Sequence, residues 1–378
     1  TVGFPVPAPL VVILSGIPAC ILIIYLQRFF ARDQLGNTVQ WLITTYVAFH
    51  SLTVIFLIFQ WPKLDVQTLF IGRVQYIQAH AVFAIWISYG LLFALAYLDT
   101  LLKGRRLPLL VGSALVLALP VVPVLKNAYD DQFINLVGSA EQNEHDFGWQ
   151  FGAWQLEGAR AILSEISEDE RAAFPNPDYP PPMTTNAVFF GGTDPGRFVP
   201  TYMIYSAHYR SDVFLITQNA LADNTYMNVM RDLYGDSIWI PSQQDSNFAF
   251  QQYVEDVRSG RIAAGADVSF EGGRVSVQGV QGVMTINGIL AKMIFEANRA
   301  KHDFYVEESY VIPWMYPYLT PHGLIMKINK ETVTELSPET VKNDRDFWNW
   351  YVPRLTGNPK FHRDVVARKT FSKLRSAI

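Results

Sequence analysis

Residues 81–97 read AVFAIWISYGLLFALAY, a run without a single charge. At 1.5 Å per residue, a helix of about 17–25 apolar residues crosses a bilayer core of about 30 Å, so the stretch reads as a membrane span. Working outward, Pro9 to Tyr25, Val39 to Phe59 and Leu107 to Leu125 have the same character, and no comparable run follows. A signal peptide would be one such segment, not four. The expected architecture is an α-helical membrane bundle of about four spans, followed by a globular half of about 250 residues.

Lysine and arginine near span ends are retained on the cytoplasmic side. The connection after the first span carries Arg28 and Arg32, and the one after the third carries Lys103, Arg105 and Arg106. The other two flanks hold Lys63, Arg73 and Lys126, the last beside Asp130 and Asp131. Five against three predicts both termini outside, with the large C-terminal half extracytoplasmic. Cys20, the single cysteine, falls inside the first span, so the exported half has no disulfide, which suits a bacterial periplasm. A net charge of −4 with no Lys/Arg run excludes a nucleic-acid stripe. The polar exceptions in the spans or beside their ends are His50, Gln78, His80 and Asp99, and His50 is expected to bond inside the bundle.

Composition shifts to aromatic, acidic and Gly/Pro-punctuated sequence between residues 127 and 142. The divisions are therefore 1–127 as membrane region, 128–355 as an α/β domain, and 356–378 as the start of a further helical, repeat-containing region. Aromatic and aliphatic residues predict a helix from Gly148 to Ser167, and five prolines between Phe174 and Met183 predict a loop. Apolar runs at Asn186–Gly192 and Asp212–Gln218 read as buried strands, followed by helical patterns at Phe198–Tyr209 and Asn224–Tyr234. That alternation predicts a Rossmann-like parallel sheet, in which ligands gather beyond the carboxyl ends of strands. Helices at Asn247–Ser259 and Val283–Ala297 and a hairpin at Val268–Val277 follow. The Tyr/Pro/Trp-rich segment Phe304–Lys327 suits a sugar-binding or membrane-facing surface as well as ordinary core.

The Gly191–Arg197 segment lies at that predicted edge. Adjacent glycines Gly191 and Gly192 let backbone approach a ligand, a helix N-terminus offers N–H groups to an anion, and Arg197 can grip phosphate. Asp194 is a candidate general base or metal ligand. The same residues also suit a plain turn with Arg197 paired to a carboxylate. The glycines form neither a P-loop nor a dinucleotide fingerprint. Glu144, His145 and Asp146 are acid/base or metal candidates and equally good helix-start residues. No His-x-x-x-His or Cys-x-x-Cys pattern supports zinc.

Three strings, NEHDFGWQFG (143–152), FFGGTDPGRF (189–198) and TQNALADN (217–224), resemble a bacterial multi-span membrane-protein family related to the animal endoplasmic-reticulum O-mannosyltransferase of plexin-type receptors. The similarity covers nearly all of residues 1–378. It implies a glycosyltransferase that takes a sugar from a polyprenyl-phosphate carrier and attaches it to a protein or glycan acceptor outside the cytoplasm. Asp146, Gly191, Gly192, Asp194 and Arg197 match motif positions, and Asn219 lies in the third string. Asp194, Asp146 and His145 are the catalytic candidates. Gly191, Gly192, Arg197 and Asn219 are the substrate-binding ones, with a divalent metal as an optional addition. Family members carry further N-terminal spans, an acidic first external loop and often C-terminal helical repeats. This chain, starting at Thr1, lacks the complete set and reads as a fragment. The competing expectation is a non-catalytic membrane-anchored binding module for an envelope glycan or protein. A transporter is disfavoured because four spans are few and lack matched broken helices.

Overall fold

The computed structural model describes residues 36–55, 77–103, 106–132, 134, 139, 141–192, 194–262, 268–271, 274–277, 280–308, 311–371 and 374. It divides into two compact units, Thr1–Pro123 and Val124–Ile378.

The first unit is helical: α1 (Gly36–His50), continued by a π-type turn at Ser51–Ile55, then α2 (Ile77–Leu101) and α3 (Arg106–Ala118). Trp86 on α2 donates to Thr45 Oγ1 on α1 at 3.0 Å, and the Trp41 and Tyr89 rings meet at 4.8 Å. Gly112 on α3 lets Leu95 and Leu98 of α2 close in, since a Cβ there would stand 3.1 Å from a leucine methyl. His50 bonds within its own helix, to the Tyr46 hydroxyl and carbonyl, as its sequence context suggested. Two helical stretches are long and apolar enough to cross a membrane, Ile77–Leu101 and Arg106–Tyr129, the latter made of α3 and the helix Val121–Tyr129 with a turn at 119–120 between them. Their large apolar side chains are exposed, Phe93 and Leu117 among them, which water would penalise and lipid does not. The expectation of four spans is thus reduced to two among the described residues. Pro9–Tyr25 lies outside them, and Val39–Phe59 is described only through Ile55, where the α-helix has already given way to the π-type turn.

The second unit begins with the end of α4 (Val121–Tyr129) and is built on a five-stranded sheet. Its strands are β1 (Val188–Gly191), β2 (Phe214–Thr217), β5 (Phe304–Glu307), β6 (Leu319–His322) and β7 (Ile325–Ile328), in the order β2-β1-β5-β7-β6; β3 (Val268–Glu271) and β4 (Arg274–Val277) form a separate hairpin. β1 pairs in parallel with both β2 and β5, whereas β7 runs antiparallel to β5 and β6. The expected Rossmann-like parallel sheet is therefore corrected to a mixed one. Parallel neighbours need a long crossover. β6 and β7 are joined by only Gly323 and Leu324, with Gly323 at φ 68°, so that end must fold back on itself.

Alternate residues of each strand face opposite layers. Phe189, Leu215, Tyr305 and Ile325 enter one core, while Val188, Phe190, Ile216, Phe304 and Val306 enter the other. The first core is covered by α5 (Phe147–Glu157), α6 (Ala159–Glu165) and α12 (Pro338–Thr356), and is joined by Phe361 of α13 (Pro359–Arg363) and Phe371 of α14 (Val365–Phe371). The second is covered by α9 (Asn224–Tyr234), α10 (Gln243–Arg258) and α11 (Val280–Asn298). α7 (Glu168–Ala172) and α10 start on capping boxes from Ser167–Glu170 and Ser242–Asp245, and Asp223 caps α9. The predicted helix Gly148–Ser167 breaks at Gly158, whose φ is 54° and whose missing side chain leaves room for the Pro180 carbonyl. The predicted helix Phe198–Tyr209 starts earlier, as α8 (Asp194–Thr201), and ends in a π-type turn at Tyr202–Ser206. Phe304–Lys327 contributes β5, β6 and most of β7, with a 3-10 segment at Pro313–Tyr318 in which Met315 is fully buried and Tyr316 exposed.

Candidate functional site

The carboxyl ends of β1, β2 and β5 meet at one edge: Gly191 lies opposite Thr217, and Glu307 follows Val306, the partner of Phe190. Residues 218–220 turn away from β2 as a short 3-10 segment, and α8 opens after Gly192. Asp194 is thus the first residue of a helix rather than part of a loop.

Two of the glycines have a cause inside the chain. A Cβ on Gly191 would stand 2.7 Å from the Gly196 carbonyl and 3.3 Å from Leu215. One on Gly196 would stand 2.6 Å from Oε2 and 2.8 Å from Cγ of Glu307. Strand end, helix start and Glu307 therefore interlock, and Glu307 sets the chain's own carboxylate beside the first turn of α8, where the dipole favours an anion. Glu307 is 2 % exposed and Glu308 equally sealed, and neither was singled out from sequence. An acidic pair closing an apolar strand, Phe304–Val306, is the signal that would have found them.

Arg197 is half-buried and forms no ion pair among the described residues; its guanidinium lies 5.0 Å from the Phe198 ring. It borders a cavity of about 260 Å³ between α8 and α9, over the outer edge of β2. β2 is an edge strand, and its outward N–H groups are capped by phenols of α9. Thr217 donates to the Tyr226 hydroxyl at 2.6 Å, and Leu215 donates to that of Tyr234 at 3.2 Å. The Tyr234 hydroxyl is also bonded to that of Tyr205. Burial pushes all three phenols above their ordinary range; for Tyr226 the Thr217 bonds and nearby Arg197 pull the other way. They are neutral hydrogen-bonding groups near pH 7, not bases.

Asn219 is half-buried, and its Oδ1 has no hydrogen-bond partner among the described residues. Nearby on α11, Asn287 accepts from the Ala222 N–H at 2.7 Å. Gly192 is buried.

His145 and Asp146 bond elsewhere. His145 Nδ1 lies 3.1 Å from Asp364, with the imidazole only 3 % exposed. Asp146 stands at the start of α5, exposed, and accepts from Gln150 Nε2 at 2.8 Å without capping the helix through its side chain. Its charge also reaches Glu165, which accepts from the indoles of Trp149 (3.0 Å) and Trp154 (2.6 Å). Partial burial raises the Glu165 pKa, the indole bonds opposing and Asp146 assisting. Among the described residues no group of three His, Cys, Asp or Glu side chains could hold a metal ion.

Comparison with known proteins found no matching family model, no similar curated protein and no similar solved structure.

Proposed function

We propose that the chain is the membrane and extracytoplasmic part of a bacterial inner-membrane glycosyltransferase. It takes a hexose from a polyprenyl-phosphate carrier and delivers it to a protein or glycan on the periplasmic side. The observation that supports this reading best is Arg197: a cation without an ion pair among the described residues, at the carboxyl edge of the parallel strands and beside an apolar cavity. A departing lipid phosphate needs such a charge. Asp194, one turn earlier on α8, is assigned as the base on the acceptor hydroxyl or as a metal contact. His145, sealed against Asp364, is assigned to positioning of the segment before α5 rather than to the chemistry.

The second reading, a non-catalytic module for an envelope glycan, is favoured by Trp149, which is 41 % exposed yet pinned by Glu165. A rigid exposed indole is a good sugar platform.

Membranes carrying the complete gene product, supplied with radiolabelled polyprenyl-phosphate hexose, test the proposal. Transfer is expected, falling by about 10- to 100-fold in Arg197→Ala, the loss of one charge-assisted bond, and to a similar extent in Asp194→Asn. Absence of transfer by the parent with every hexose donor would replace the enzyme with the binding module.

A further inference from the structure

The surface around α8 and α9 carries apolar side chains well beyond the cavity between them. Trp149, Phe198, Tyr202, Tyr205, Val229 and Leu233 are between 37 % and 58 % exposed, and they lie on α5, on α8 with its π-type turn, and on α9. Phe198, Tyr205, Val229 and Leu233 border one cavity, and Tyr202 follows Phe198 by one helical turn. The Trp149 ring meets that of Tyr209 at 5.4 Å, and the Tyr209 N–H returns to the Met203 carbonyl at 2.8 Å. The six thus occupy adjoining elements of one surface. Clustered exposed hydrocarbon of this kind marks an interaction site.

The contacts inside the second unit also locate this face. The membrane-length stretch Arg106–Tyr129 has its last turns in that unit. Its end is fastened there: the Ser139 hydroxyl donates to the Ala128 carbonyl at 2.8 Å, the Ser139 N–H donates to the Arg363 carbonyl at 3.0 Å, and the Arg363 guanidinium lies 5.7 Å from the Tyr129 ring. α13, which ends at Arg363, packs its Phe361 against Phe147 at 5.7 Å, and Phe147 opens α5. Trp149 is in the first turn of that helix, and α8 lies on it through Val199, which a Cβ on Gly152 would approach to 2.7 Å. The aromatic face therefore starts where the membrane-length stretch ends.

We propose that this face is a docking surface for the bilayer itself, laid into the boundary between headgroups and acyl chains beside the point where the stretch leaves the membrane. Tyr and Trp make up half of the six residues, and their part-apolar, part-polar rings suit that boundary, where such residues form belts. A unit tethered directly to a membrane helix meets the surface at high effective concentration, so a modest apolar area suffices to hold it. Charge sets the depth and the lipid preference. Arg197 is outnumbered by Asp223, Asp232 and Asp236, all exposed at or beside α9. The face has no net positive charge to draw anionic lipid, and the carboxylates keep the contact shallow, at about the 5–10 Å typical of surface-lying helices. A strand from a protein partner has no footing at the β2 edge, where the Leu215 and Thr217 N–H groups are held by phenols.

The test uses the full chain in phosphatidylcholine nanodiscs. Cys20, the single cysteine, is first changed by Cys20→Ser, and a reporter cysteine carrying the fluorophore NBD is then placed by Phe198→Cys, Tyr202→Cys or Leu233→Cys. Phe248→Cys on α10 and Tyr316→Cys in the 3-10 segment, both exposed and off this face, serve as controls. The three reporters on the face should emit at shorter wavelength than the controls, be quenched by lipids bearing a nitroxide near the headgroup, and escape quenching by iodide in the water. Both controls should show the reverse. Adding phosphatidylglycerol should change none of this. Phe198→Asp combined with Tyr202→Asp, at positions exposed enough to leave the fold intact, should open the Leu233 reporter to iodide. Iodide quenching on the face equal to that of the controls would overturn the proposal, as would docking that appears only with anionic lipid. Protection from iodide without nitroxide quenching would overturn it too, because a protein, a second copy included, would then cover the face. The assignment needs the membrane-length stretch and the face but not sugar transfer. Docking without transfer would remove only the transferase, and transfer with every reporter open to iodide would remove only the docking.

Discussion

Replacing Tyr226 by phenylalanine removes one oxygen and leaves the apolar body of the side chain in place. In the native fold that oxygen accepts the Thr217 N–H at 2.6 Å, at a residue 4 % exposed on the outer edge of β2. Because β2 has a neighbour only on its β1 side among the described residues, no strand there can take over the bond. A buried donor left without an acceptor costs about 1–3 kcal/mol. Since 1.4 kcal/mol is tenfold in an equilibrium constant, local opening of β2 should become roughly 5- to 150-fold more frequent. Amide hydrogen exchange of a peptide covering 213–218, read by mass spectrometry, should accelerate by that factor. Peptides from β5 and β7, on the far side of β1, should exchange as before. Tyr234→Phe should do the same through Leu215, with some added loosening because its hydroxyl is shared with Tyr205. If β2 exchanges at the parental rate in both variants, water has replaced the phenols at no cost, and the claim that these tyrosines seal the edge is wrong.

Two further outcomes are expected. Burial pushes the His322 imidazole down to about 4, the bond to the Pro181 backbone opposing and Lys327 assisting. The folded pKa lies below the ordinary value of about 6.5, so the unfolded chain takes up the proton first. The stabilisation of the neutral form is complete above pH 6.5 and is lost as pH falls from there to about 4. At ~1.4 kcal/mol per unit this amounts to about 3 kcal/mol. Unfolding of the parent should show this slope and His322→Gln should flatten it; identical slopes would clear His322 of the effect. Gly196→Ala places a Cβ 2.6 Å from Oε2 of Glu307, which is too deeply buried to swing away. A loss of about 1–3 kcal/mol is expected from this overpacking, measured as a lower denaturant midpoint. A midpoint equal to the parent's would mean that α8 can shift to make room.

Much of the candidate edge could be read in one dimension. β1 and β2 show as short apolar runs ending in glycine or polar residues, and α9 shows as an amphipathic pattern after Asp223, a good capping residue. The expected bounds of α9 match at both ends, whereas α10 begins at Gln243, on the Ser242–Asp245 capping box, and not at the expected Asn247. The break at Gly158 was missed because a single glycine inside a helical pattern is ambiguous until the Pro180 carbonyl is seen in the space beside it. The antiparallel half of the sheet was missed because the Phe304–Lys327 aromatics and prolines hide three strands of four residues each.

By itself the sequence determined that residues 81–97 and 107–125 form long apolar helices, since transfer from water depends on composition and length and not on partners. It determined equally that buried strands lie within Asn186–Gly192 and Asp212–Gln218, where β1 and β2 are found. Only the tertiary structure decided what stands beside them. Glu307 meets Gly196 from 111 positions away along the chain. Tyr226, an ordinary member of a helix in sequence, became the cap of an edge strand and a wall of the cavity. Such contacts arise from which faces pack together when the sheet closes. Side chains distant along the chain carry no local pattern that announces the meeting.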